Sequence, residues 1–154
     1  MNRIIALIAL LLCTFSAFSC AQDDLPPVII DYFYEPGCPE CLRIRSEILP
    51  DLRERYEGFY QLKRHDMGVM SNVVKLVAYQ EALGITKNSP VSMFVDYSRG
   101  LCGIEDIRGA LFRCLDENME ARMMLDWQPP KPIKWDMAGG VDQAHQRASG
   151  FTVP

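Results

Sequence analysis

One run of the chain, Val28 to Cys41, limits what the rest can fold into. Val28, Ile29, Ile30, Tyr32, Phe33 and Tyr34 are β-branched or aromatic, the composition of a buried strand. Pro36-Gly37 stops that strand. Pro39 suits the first turn of a helix, where its missing N–H costs nothing. Cys38 therefore falls at a helix N-terminus, and Cys41 lies one turn later on the same face. A thiolate is the nucleophile in thiol exchange, and the free N–H groups and dipole of a helix N-terminus favour negative charge. Cys38, at the open end, is the expected attacking thiol, and Cys41, inside the helix, the resolving one. A structural disulfide, or half of a metal site, is the plainer alternative for such a pair.

Downstream, Pro39 to about Tyr56 carries Cys41, Ile44, Ile48 and Leu52 as one apolar stripe, with Arg43, Arg45, Glu47, Arg53 and Glu54 mostly off it. Pro50 is expected to kink this helix. Phe59 to His65 reads as a second strand. Ser71 is the expected N-cap of a helix running to Leu83, and Gly84 its stop. Val91–Tyr97, a turn at Ser98-Arg99-Gly100 and a short strand Leu101–Gly103 make a hairpin. Ile104, Ile107, Leu111, Cys114 and Leu115 mark a last amphipathic helix, reaching about Asp126. Residues 127–154 contain Gln128-Pro-Pro-Lys-Pro132 and Gly139-Gly140 and read as a flexible tail, with Trp127 and Trp135 as its exceptions.

The order is βαβαββα, an α/β fold with a mixed central sheet and helices on both faces. The Cys38-Pro39-Glu40-Cys41 loop after a hydrophobic strand, with Ser89-Pro90 ahead of the third strand, resembles the thioredoxin-like superfamily over roughly Pro27 to Met119, within a domain expected at 27–126. The resemblance implies that Pro90 is cis and faces the cysteines. It also implies that Ser89 and Pro90, with Pro39 and Glu40, shape the groove for an extended substrate. Two positions depart from thioredoxin itself. Tyr32 stands where thioredoxin has a buried acid, and Gly37 where it has Trp before the first cysteine. Asp31 is one residue off the acidic position, and one residue in a strand changes the face, so that role does not carry over securely to Asp31.

Residues 1–21 have the form of an export signal: Arg3, an apolar run Ile4–Leu12, and small residues before Gln22. Ser16-Ala17-Phe18-Ser19-Cys20 also resembles a bacterial lipoprotein signal in which Cys20 is lipidated, giving attachment to a membrane. Either route delivers the domain outside the cytosol, where disulfides persist. Of six cysteines, four then remain in the domain: Cys38, Cys41, Cys102 and Cys114. Cys102 sits at most about 7 Å up its strand from the last helix, and Cys114 about 15 Å along that helix. Bridged Cα atoms lie within about 7 Å, so this second pair reads as two small buried apolar residues.

A net charge of −4 and no basic patch exclude a nucleic-acid partner. His65 and Asp66, at the end of the second strand, read as surface residues, and the scattered methionines as core filler rather than copper ligands. The sequence thus points to an exported thiol–disulfide oxidoreductase with no cofactor beyond its own dithiol. Its partners would be protein thiols and disulfides and an electron-donor protein. Glu35 and Glu40 place negative charge against the thiolate and favour a reductase or electron relay over a strong oxidant. Two alternatives stay open: a copper-binding module using the two cysteines, and a thioredoxin-like binding domain without catalysis.

Overall fold

A computed structural model describes residues 25–135. The expected signal segment and Cys20 lie outside these residues. The elements are β1 (Val28–Tyr34), α1 (Pro39–Arg43), a π turn (Ile44–Ile48), α2 (Leu49–Tyr56), β2 (Tyr60–Asp66), α3 (Met70–Ala82), β3 (Val91–Val95), β4 (Arg99–Cys102) and α4 (Ile104–Arg122). The sheet order is β2-β1-β3-β4. β1 runs parallel to β2, with Val28 opposite Tyr60, and antiparallel to β3, with Tyr32 opposite Met93; β4 returns antiparallel to β3. This is a thioredoxin-like α/β fold.

Alternation along β1 divides the interior in two. Val28, Ile30 and Tyr32 face one way and pack with Ile44, Ile48 and Leu52 and with Ile107, Leu111 and Leu115 of α4. Phe33 faces the other way and packs with Leu76 and Tyr79 of α3 and with Phe94. Helices thus cover both faces, and the cysteines belong to the first core.

Several expectations are corrected, each for a local reason. Pro50 does not fall inside a regular α-helix. The turn before it widens, with Leu49 N–H bonded to the Ile44 carbonyl five residues back, and Pro50 lands in the first turn of α2, where no donor is missed. α3 starts two residues earlier than expected, with Val69 as N-cap and no side-chain cap bond. Asp66 organises that start instead: its carboxylate accepts from Gly68 N–H at 2.7 Å and its carbonyl from Asn72 Nδ2 at 2.8 Å. α4 stops at Arg122 rather than near Asp126.

The hairpin turn also sits earlier than expected. Asp96 and Tyr97 take the positive φ values, 46° and 56°, and Ser98 N–H closes on the Val95 carbonyl at 3.1 Å. Gly100 belongs to β4. A Cβ there would meet Ile85 Cδ1 at 2.2 Å and Phe94 Cε1 at 2.9 Å, so this glycine serves packing, not turning. Early in the tail, the Arg122 guanidinium lies over Trp127 and Ile133 packs against the core beneath α3.

Candidate active site

The end of β1 and the start of β3 build the site together. Beyond Tyr34, Glu35 N–H bonds to the Pro90 carbonyl at 3.0 Å, so the loop leaving β1 is tied to the residue that enters β3. Gly37, at φ +80°, turns the chain, and Cys38 N–H returns to the Glu35 carbonyl at 3.3 Å. Cys38 is the N-cap of α1 with extended backbone (φ −63°, ψ 134°), and Pro39 takes the first turn as expected. The cap atom is a sulfur: Cys41 N–H donates to Cys38 Sγ at 3.1 Å.

The two sulfurs face each other 2.7 Å apart. Cys41 S–H also points to the Pro90 carbonyl, 3.5 Å away. Neither thiol is widely open, with Cys38 at 9% and Cys41 at 6% exposure. Burial pushes the Cys41 thiol up to about 12, and its hydrogen bond with Cys38 adds to the rise. At neutral pH Cys41 therefore keeps its proton, while Cys38 has an N–H donor aimed at its sulfur.

Pro90 is the hub of this arrangement, but the peptide bond before it is trans; among the described residues there is no cis peptide. The expected cis proline is therefore corrected. Trans is the lower-energy isomer for an X–Pro bond, and this geometry already turns the Pro90 carbonyl toward Glu35 and Cys41. Ser89 is buried beside it, and its hydroxyl accepts from Val91 N–H at 3.3 Å. Glu40 is partly buried and turns away from the thiols: its Oε2 accepts Ile104 N–H at 3.2 Å. It thereby caps α4, whose own N-cap, Gly103 at φ +92°, has no side chain to do so. Cys102 and Cys114 are both free and buried, as their spacing suggested.

Tyr32, not an acid, lies in the core shared with Cys41, and burial first, then the neighbouring Cys41, holds its phenol far above the usual range. Asp31 faces the opposite side of the sheet. There it is 1% exposed and takes three hydrogen bonds: His65 Nε2 at 2.6 Å, Lys75 Nζ at 2.8 Å and Tyr79 OH at 2.9 Å. Burial alone would raise its carboxyl. The bonds from His65, Lys75 and Tyr79, with the Lys75 charge, outweigh that and hold it below the usual range. His65 is thus not the surface residue expected; it also stacks on Phe33 with ring centroids 4.6 Å apart. An Asp inside an apolar strand demands partners, and that was the one signal in the sequence for this cluster.

Fold and dithiol together define a thioredoxin-like domain with paired thiols at a helix N-terminus. No protein-family model matches the sequence, and no curated protein matches it. Among solved structures, the chain is similar to glutaredoxin 1 from Francisella tularensis, crystallised with cacodylate. The identity is 13%, the match covers 58% of this chain and 98% of that one, and the TM-score is 0.39.

Proposed function

We propose that this chain is a thiol–disulfide oxidoreductase acting outside the cytosol. Cys38 thiolate attacks one sulfur of a substrate disulfide, forms a mixed disulfide and releases the other substrate sulfur as a thiolate. Cys41 then loses its proton and attacks Cys38 Sγ. The second substrate thiol leaves, and a Cys38–Cys41 disulfide forms as two electrons pass to the substrate. A dithiol donor protein restores the pair. The observation that carries this reading is the facing sulfur pair, 2.7 Å apart, with an N–H aimed at Cys38 and Cys41 buried behind it.

Ser89, Pro90 and Pro39 are the residues that we read as lining the path of the substrate, since Pro39 follows Cys38 and the Pro90 carbonyl faces Cys41. The direction we read as reducing or relaying, on the acidic Glu35 beside the pair. Glu40 contributes less than its position suggests, because its carboxylate is occupied at α4. The copper-binding alternative would use the same two sulfurs; among the described residues no group of three or more His, Cys, Asp or Glu side chains is placed to hold a metal ion.

Thiol trapping of the full chain in defined redox buffers tests the reading, repeated with Cys102 and Cys114 replaced by Ser. The expected outcome is a reversible two-electron couple at or below about −200 mV. A couple above about −150 mV would reverse the direction. No couple at all, with tight metal binding in its place, would remove the oxidoreductase.

A further inference from the structure

The end of the molecule opposite the thiols is built differently from the rest of its surface. Arg122, at the end of α4, is buried; it pairs with Asp96 of the hairpin turn and donates to the Pro26 carbonyl. These contacts set the exit of α4 beside the entry to β1. Val28 N–H bonds to the Phe59 carbonyl at 2.9 Å, which brings the α2–β2 connection to the same end. Around them Leu25, Phe59, Met123, Met124 and Leu125 are all exposed, Met123 at 72% and Met124 at 63%. Single exposed apolar residues are ordinary, but large ones from separate segments at one pole mark a contact surface.

The chain itself says what covers it. Leu25 is where residues 1–24 enter the described domain, and those residues carry the apolar run Ile4–Leu12 and Cys20. From Cys20 to Leu25 the chain spans at most about 18 Å. Anchoring of Cys20 at a bilayer therefore keeps this pole close to the lipid surface. β1, seven residues and about 23 Å long, separates the pole from the dithiol at its other end.

We infer that this pole, formed by Leu25, Phe59 and Met123–Leu125, seats on a lipid bilayer and turns Cys38 and Cys41 away from it toward soluble partners. The contact is peripheral, because among the described residues no helix is long and apolar enough to cross a membrane. It is apolar rather than electrostatic. Of the arginines near this end, Arg122 is engaged internally by Asp96 and Pro26 and Arg99 is paired with Glu117, so binding depends on inserted side chains and resists salt. The inference stands apart from the thiol chemistry.

A reporter is already in place. Trp127 N–H bonds to the Met124 carbonyl at 3.2 Å, and its ring lies 4.7 Å over the Arg122 guanidinium. The chain has two tryptophans, so Trp135→Phe in the full chain leaves Trp127 alone. That protein is mixed with vesicles of brominated-chain phosphatidylcholine, at low and at high salt. The expected result is quenching of Trp127 in both, and its loss when Met123, Met124 and Leu125 are changed to Ser. Phe59→Ser, on a separate segment, serves as a second variant and should weaken the quenching. The reduction potential should not move in any of them. Absence of quenching in the parent, or equal quenching in parent and variants, overturns the inference. So does a dimer that the same substitutions dissociate with no lipid effect, since the face would then belong to a second copy of the chain.

Discussion

Changing Asp31 to Asn tests the division of labour between the two faces of the sheet. Asp31 is buried and receives three hydrogen bonds, one from the Lys75 ammonium. A hydrogen bond to a charged group contributes about 1.5–3 kcal/mol, and breaking a buried ion pair costs about 3–5 kcal/mol. Lys75 reaches the surface, with 14% of its side chain exposed, and can turn to water once its partner is neutral. The lower end, about 3 kcal/mol, is therefore the expected loss, or roughly 10–15 °C in Tm for a domain of this size. The pH dependence gives a second reading. Asp31 titrates below its ordinary 3.8 when folded, so its contribution is present above that value and is lost as pH falls through the folded value. Urea unfolding from neutral pH down to about pH 3 should show the parent losing stability toward acid more steeply than Asp31→Asn. Lys75→Met alone should cost more than the pair Asp31→Asn with Lys75→Met, because the single change leaves the buried carboxylate without its ammonium partner. The Cys38–Cys41 potential and its pH profile should stay where they are, since Asp31 lies across the sheet from the sulfurs. A loss under about 1 kcal/mol with superposed acid limbs would refute the burial argument. A shifted thiol pH profile would refute the face assignment.

Other outcomes follow from the same geometry. Cys41→Ser should accumulate a mixed disulfide between Cys38 and substrate on non-reducing gels, and Cys38→Ser should not; in the parent, limited alkylation near neutral pH should label Cys38 ahead of Cys41, whose thiol burial holds at about 12. Glu40→Ala should lower stability by about 1 kcal/mol through the lost cap on α4, read by thermal melting, with little change in the reduction potential. Gly100→Ala should destabilise by about 1–3 kcal/mol in urea unfolding, because its Cβ would overlap Ile85 and Phe94. Ile133→Ala should cost about 1–2 kcal/mol, as the packing of the tail against the core beneath α3 requires.

Sequence alone determined the dithiol and the order of elements. Apolar alternation, Pro36-Gly37 and Pro39 are local signals, and local backbone chemistry is enough to place Cys38 and Cys41 one turn apart where a helix begins. The same logic found Gly84 as the stop of α3 and placed Asp31 and Tyr32 on opposite faces. Contacts between partners far apart in the chain arise only on folding. Asp31 meets His65, Lys75 and Tyr79 because β2 and α3 fold against the same face of β1, and no local pattern encodes that meeting. Glu40 looks like a modifier of the thiols when read in its motif, yet the nearest unsatisfied N–H belongs to Ile104, 64 residues away in sequence. Gly100 looks like a turn residue until Ile85 and Phe94 are packed on it. Periodicity specifies elements because it acts within a turn or a strand pair; polar pairing and close packing are settled only when distant elements arrive.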